Sequence, residues 1–186
     1  MPMSNAAASK VILITGPARS GKSEWGERLA VQSGRRVVYV ATAIARTDDP
    51  EWLARLQAHR DRRPPDWETL EVSHHLAKTI RQALPESCLL VDSLGTWLAN
   101  LLEQEDEDWA ETQMELLHSL ETAQAQVILI AEETGWGVVP AYPLGRVFRD
   151  RLGTLTRKIG AIANPVYLVT SGYALNLRDL GTPIDG

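Results

Sequence analysis

Between two glycines and a hydroxyl the chain reads Gly16-Pro17-Ala18-Arg19-Ser20-Gly21-Lys22-Ser23, a spacing that suits a turn wrapped around a phosphate. Backbone N–H groups of such a turn point inward, and the N-terminus of the helix that follows adds the positive end of its dipole. In that geometry Lys22 bridges the β- and γ-phosphates and the Ser23 hydroxyl binds Mg²⁺. The pattern requires a strand before it and a helix after it. The apolar run Val11-Ile12-Leu13-Ile14 and the helical-looking segment Ser23 to Val31 supply both. The chain is therefore expected to bind a nucleoside triphosphate.

Two further residues invite chemistry. Asp92 ends an apolar run, where a carboxylate can cap a helix or, the reading favoured beside a P-loop, hold the Mg²⁺ shell of a bound nucleotide. His59 precedes a basic knot, Arg60-Asp61-Arg62-Arg63-Pro64. An imidazole can attack phosphorus to give a phosphoramidate while guanidiniums neutralise the charge growing on the phosphate oxygens. By composition alone, a histidine beside arginines is more often a surface residue than a nucleophile. His74-His75 lacks metal-ligand spacing with cysteine or further histidine, which argues against zinc.

The elements that must position these groups are legible as apolar runs: Val11-Ile14, Val37-Ala41, Leu89-Val91, Val127-Ile130 and Val166-Val169, separated by helix-length segments. Continuous apolarity implies strands buried on both faces, and the intervening helices imply parallel crossovers. The fold class is α/β, a mostly parallel sheet flanked by helices, with ligands gathered at the carboxyl ends of the strands. Trp67 to Val72 alternates as an edge strand would. A helix is expected over Glu51 to Arg60, another from Ser73 to Ala83, and a third from about Trp109 to Ala123, after an acidic, solvated run. Glu132 to Pro140 is too rich in glycine for helix and reads as an ordered loop at the ligand edge. The helix from about Leu144 to Ile162 places Val147, Phe148, Leu152, Leu155, Ile159 and Ile162 on one stripe, with Arg146, Arg149, Arg151, Arg157 and Lys158 on the other face, read as solvated or, alternatively, as facing an anionic ligand or a neighbouring subunit.

With 186 residues, the chain makes a single domain, spanning 10–172, between a tail at 1–9 and a C-terminal tail at 173–186. A net charge of −5 and a pI near 5.4 argue against a nucleic-acid partner or an anionic membrane surface. The lone Cys88 fits a reducing cytoplasm, and no apolar run approaches the roughly 20 residues of a membrane span.

Several stretches occur together in the order and spacing of one family: the Gly16 to Ser23 loop, Tyr39-Val40-Ala41-Thr42-Ala43, the His59 to Pro64 segment with Trp67 and Glu71, Val91-Asp92-Ser93-Leu94, and Glu133-Thr134-Gly135-Trp136-Gly137-Val138-Val139-Pro140 with Arg146-Val147-Phe148-Arg149-Asp150. From about Lys10 to Gly172 the chain resembles the bifunctional adenosylcobinamide kinase / adenosylcobinamide-phosphate guanylyltransferases of cobalamin biosynthesis. The resemblance implies a P-loop, RecA-like domain assembled as a homotrimer. It further implies phosphorylation of the adenosylcobinamide aminopropanol hydroxyl, then transfer of GMP from GTP to that phosphate through a guanylylated histidine, with ATP or GTP as kinase donor.

Carried over by motif, that histidine is His59 and Lys22 serves catalysis. Nucleotide contacts fall on Gly16, Pro17, Ala18, Arg19, Ser20, Gly21, Lys22 and Ser23, on Ala41, Thr42 and Ala43, and on Arg60, Asp61, Arg62, Arg63, Glu71 and Asp92. Ser23 and Asp92 serve the metal. A carboxylate such as Glu71 can accept the N1 and N2 hydrogens of guanine together. The chain departs from the family pattern at Pro17, at Glu132 and at Thr156-Arg157, the last two on elements expected near the corrinoid or the transferred phosphate. Two other readings stand beside this one: a simple P-loop kinase of a small alcohol with His59 structural, and a nucleotide-dependent switch.

Overall fold

The computed structural model describes residues 10–44, 53, 54, 57, 60, 61 and 63–184. Seven strands, β1 (Val11–Gly16), β2 (Arg36–Ala41), β3 (Glu68–Glu71), β4 (Ser87–Asp92), β5 (Gln126–Glu132), β6 (Val166–Thr170) and β7 (Tyr173–Asn176), form one sheet in the order β3-β2-β4-β5-β1-β6-β7. Every neighbouring pair is parallel except β6 and β7, which run antiparallel. The helices are α1 (Lys22–Gln32), α2 (Leu76–Gln82), α3 (Leu94–Asn100), α4 (Asp106–Glu121), α5 (Pro143–Ile162) and α6 (Leu177–Leu180). The α/β class and the parallel arrangement expected from the apolar runs are both present. The helix expected over Glu51 to Arg60 lies mostly outside the described residues.

Alternation along each central strand divides the interior in two. Val11, Leu13, Val38, Val40, Leu89, Val91, Val127 and Leu129 meet apolar residues of α2, α3, α4 and α5 on one face. Ile12, Ile14, Val37, Tyr39, Cys88, Leu90, Ile128 and Ile130 meet Ala30, Leu29 and Trp25 of α1 on the other. Both faces are covered, so the central strands carry no polar alternation and read as continuous apolar runs.

Three expectations need correction. Residues 173 onward, expected as a tail, continue the sheet: β7 pairs along β6, and Arg178 in α6 donates to the carbonyl oxygens of Gly160 (2.8 Å), Ala161 (3.1 Å) and Ala163 (2.8 Å) at the C-terminus of α5. A guanidinium at this end of a helix satisfies carbonyls that have no partner within the helix. Arg151 does not belong to a solvated face. It is buried, donating to Leu102 and Gln104 carbonyls and to Asp106, with its guanidinium beside the Trp109 ring. Finally, Ser73 does not cap the next helix, whose N-cap position is His75. The apolar stripe of α5 packs as expected at Leu152, Leu155 and Ile159, with Phe148 and Ile162 partly buried against the same core and Val147 at its exposed margin.

Candidate active site

Parallel strands deliver their last residues to one edge, and here that edge collects most of the expected site. Gly16 ends β1 opposite Glu132 at the end of β5, and the Glu133 N–H donates to the Gly16 carbonyl at 2.8 Å. Asp92 ends β4 in register with Ala41, which in turn is in register with Glu71 on β3. Glu71, Ala41 and Asp92 thus form one row across three adjacent strands, separated from the strand that feeds the glycine-rich turn by β5.

That turn is tightly enclosed. A side chain at Gly16 would place its Cβ 2.1 Å from the Val169 carbonyl oxygen, so only glycine fits where the turn leaves β1. Lys22, in the first turn of α1, is buried and donates from Nζ to the Pro17 carbonyl at 2.8 Å, folding back over the loop. Burial lowers its pKa, while the carboxylates of Glu132, Asp92 and Glu24 pull it back up. The Ser20 Oγ is buried with no hydrogen-bond partner, a polar group that a phosphate oxygen would satisfy. Ala18 and Arg19 are exposed at the rim, and Ser23 sits half-buried in the first turn of α1. Among the described residues no cluster of three or more His, Cys, Asp or Glu could hold a metal alone. A hydroxyl, one carboxylate and nucleotide phosphates are instead the donor set suited to Mg²⁺, which keeps much of its water.

The helix-cap reading of Asp92 does not hold. The cap of α3 is Ser93, whose side chain accepts from the Thr96 N–H while Thr96 Oγ1 accepts from the Ser93 N–H. Asp92 is directed elsewhere: the Tyr39 hydroxyl donates to its Oδ2 at 2.9 Å, and strand alternation sets it on the α1 face with Leu90. Burial and the neighbouring Asp92 raise the Tyr39 pKa far above its ordinary value, so the phenol remains a donor. The Arg63 guanidinium lies 3.5 Å from the Tyr39 ring centroid, and its buried Nε has no hydrogen-bond partner.

Other expected contacts are placed as follows. Thr42 is fully buried and its hydroxyl is engaged with Ser93, donating to the carbonyl at 2.7 Å and accepting from the N–H at 2.9 Å. Asn100 Nδ2 donates to the Thr42 carbonyl at 2.8 Å, so this residue serves to tie β2 to α3. Half-buried Ala41 and Ala43 flank it. Arg60 pairs with Glu71 at 3.2 Å on the surface, and Asp61 accepts from Gln57 at 2.6 Å. His59 and Arg62 lie outside the described residues.

Glu132 was not among the expected site residues. Its Oε2 accepts from the Gly95 N–H at 2.9 Å and its Oε1 from the Ser93 hydroxyl. Burial raises its pKa, with the Ser93 hydrogen bond opposing and Asp92 reinforcing the shift. An acid closing a buried strand beside the strand that feeds the glycine-rich turn was the available signal.

The strand order, the turn and the acid at the end of β4 define a P-loop nucleotide-binding fold. Consistent with this class, a type III secretion system ATPase superposes with a TM-score of 0.50 at 14% identity, covering 93% of this chain and 53% of that one. The sequence profile of the cobinamide kinase / cobinamide phosphate guanyltransferase family matches residues 12–177, and the chain belongs to that family. Among its relatives are the bifunctional adenosylcobalamin biosynthesis protein CobP of Pseudomonas aeruginosa, 42% identical over 92% of this chain and 98% of the relative, and the bifunctional adenosylcobalamin biosynthesis protein CobU of Salmonella typhimurium, 36% identical over 90% and 99%.

Proposed function

We propose that this enzyme phosphorylates adenosylcobinamide and then transfers GMP from GTP to the new phosphate, with His59 as carrier. In the first reaction the aminopropanol oxygen attacks the γ-phosphorus, the bond to the β–γ bridging oxygen breaks, the nucleoside diphosphate leaves and the hydroxyl proton is released. In the second, an imidazole nitrogen of His59 attacks the GTP α-phosphorus and pyrophosphate departs. An oxygen of adenosylcobinamide phosphate then attacks the same phosphorus, the P–N bond breaks, and adenosylcobinamide-GDP is released with the imidazole restored.

The observation that supports this reading is the common carboxyl edge of the parallel strands, along which the turn after β1, then Asp92 on β4 beyond β5, and then Glu71 on β3 all lie. Lys22 steadies the phosphates and Glu71 receives the guanine edge, while Arg60, Arg62 and Arg63 neutralise charge around the α-phosphate. Ser23 and Asp92 would hold Mg²⁺, which, when bound, offsets the phosphate charge and orients the leaving oxygens. The reading includes a homotrimer acting in the cytoplasm. Among the described residues no helix is long and apolar enough to cross a membrane.

Incubating the purified chain with adenosylcobinamide, Mg²⁺ and either ATP or GTP tests it, with products resolved by mass. Adenosylcobinamide phosphate should form, and adenosylcobinamide-GDP should form only when GTP is present. Phosphorylation without any GDP adduct in GTP would reduce the enzyme to a simple kinase.

A further inference from the structure

Beside the glycine-rich turn, a cavity of about 430 Å³ opens between the segment after β5, the strand neighbouring β1, and one face of α5. Glu132, Glu133, Arg149, Asp150, Gly153 and Arg157 contribute to its lining. It begins at Glu132, the residue paired with Gly16 where β1 leads into the turn, so the cavity and the turn start from neighbouring positions on the same edge of the sheet. We propose that this cavity receives the aminopropanol arm of the corrinoid acceptor, and that Arg157 binds the phosphate which that arm carries after the first reaction. The proposal rests on the function proposed above and adds the acceptor's place to it.

Three observations carry it. The volume is within the range of small-molecule sites but too small for a whole corrinoid, so it suits a side arm whose macrocycle stays outside. The lining is also largely engaged. Glu132 accepts from Ser93 and Gly95, Glu133 accepts from the Gly135 N–H at 3.0 Å, and Arg149 donates to the Gly135 carbonyl at 2.7 Å. Arg157 is exposed and makes no hydrogen bond or ion pair with another described residue, which leaves its planar fork available for a phosphate. Finally, Gly153 has nothing within 4 Å of where a Cβ would stand. The wall of α5 is open there, and a larger side chain can occupy the cavity without disturbing the helix.

Steady-state kinetics on the purified full chain test the proposal, with KM measured separately for nucleotide, adenosylcobinamide and adenosylcobinamide phosphate. Gly153→Phe should raise KM for both corrinoids at least tenfold and leave KM for nucleotide within twofold. Thr154→Trp, in the same lining, should act alike and keeps the test decisive if the first variant fails to fold. Arg157→Gln should raise KM for adenosylcobinamide phosphate about tenfold while that for adenosylcobinamide stays within twofold. Corrinoid KM values unchanged in a folded cavity-filling variant would overturn the acceptor's place, and equal effects of Arg157→Gln on the two corrinoids would overturn the role of Arg157. If the parent enzyme fails to phosphorylate the corrinoid at all, the proposed function fails first and this inference falls with it.

Discussion

The Tyr39 hydroxyl donates a 2.9 Å hydrogen bond to Asp92 Oδ2, while Arg63 from the basic segment lies over the same ring. One phenol therefore touches both the acid at the end of β4 and the segment that follows His59. Orientation of Asp92 by a neighbour of this kind controls how well the carboxylate can meet a metal shell. Tyr39→Phe keeps the ring beneath Arg63 and removes only the donor. It should cost about 1 kcal/mol of stability in urea unfolding. The Mg²⁺ concentration for half-maximal nucleotide binding should rise about tenfold, with Mg²⁺-free nucleotide binding unchanged. An unaltered Mg²⁺ dependence would separate Tyr39 from the metal.

Glu71 ends an edge strand, exposed and, among the described residues, paired across the surface with Arg60. A carboxylate there can take two hydrogens from guanine, whereas adenine offers it only the N6 amino hydrogen and sets its N1 lone pair against the second oxygen. Glu71→Gln should weaken GTP binding about tenfold, with ATP affected less than twofold. Equal losses for both nucleotides, measured by competition binding, would remove Glu71 from base recognition.

Glu132 is fitted against the start of α3 so closely that a Cβ on Gly95 would come within 2.1 Å of its Oε2. Gly95→Ala should therefore cost about 2 kcal/mol through forced displacement of the carboxylate. The raised pKa of Glu132 also has a defined direction in pH. Its folded value exceeds its unfolded one, so the native state holds the proton longer. The stability this contributes is complete below the unfolded carboxylate pKa and is lost as pH rises through the raised folded value. Glu132→Gln should abolish that slope, making the variant at least as stable as the parent near neutrality and comparatively weaker in acid. Parallel stability curves in urea across this range would contradict the assignment.

The sheet was legible because β1, β2, β4 and β5 are buried on both faces, which makes each an unbroken apolar run, and because the turn after β1 carries its own punctuation. Asp92 was legible as the residue after such a run, though excluding it as the cap of α3 needed the structure, where Ser93 takes that place. What escaped had weaker signals. β7 is a short strand at the sheet's edge with an exposed tyrosine, so its composition resembles a tail. Arg151 looked solvated because its partners, two carbonyls and Asp106, come from a turn some 45 to 49 residues earlier in the chain. Glu132 passed for the first residue of a polar loop because nothing local reveals that Ser93 and Gly95 will approach it.

The central claim is that His59 carries GMP, and GTP labelled on its α-phosphate reads it directly. Without a corrinoid present, the enzyme should acquire a stoichiometric label that is acid-labile, alkali-stable and located on His59 by peptide mapping. His59→Ala should acquire none while still binding GTP, and adding adenosylcobinamide phosphate should discharge the label from the parent protein. A label that persists in His59→Ala, or GDP-corrinoid formed by that variant at the parent's rate, would contradict the account.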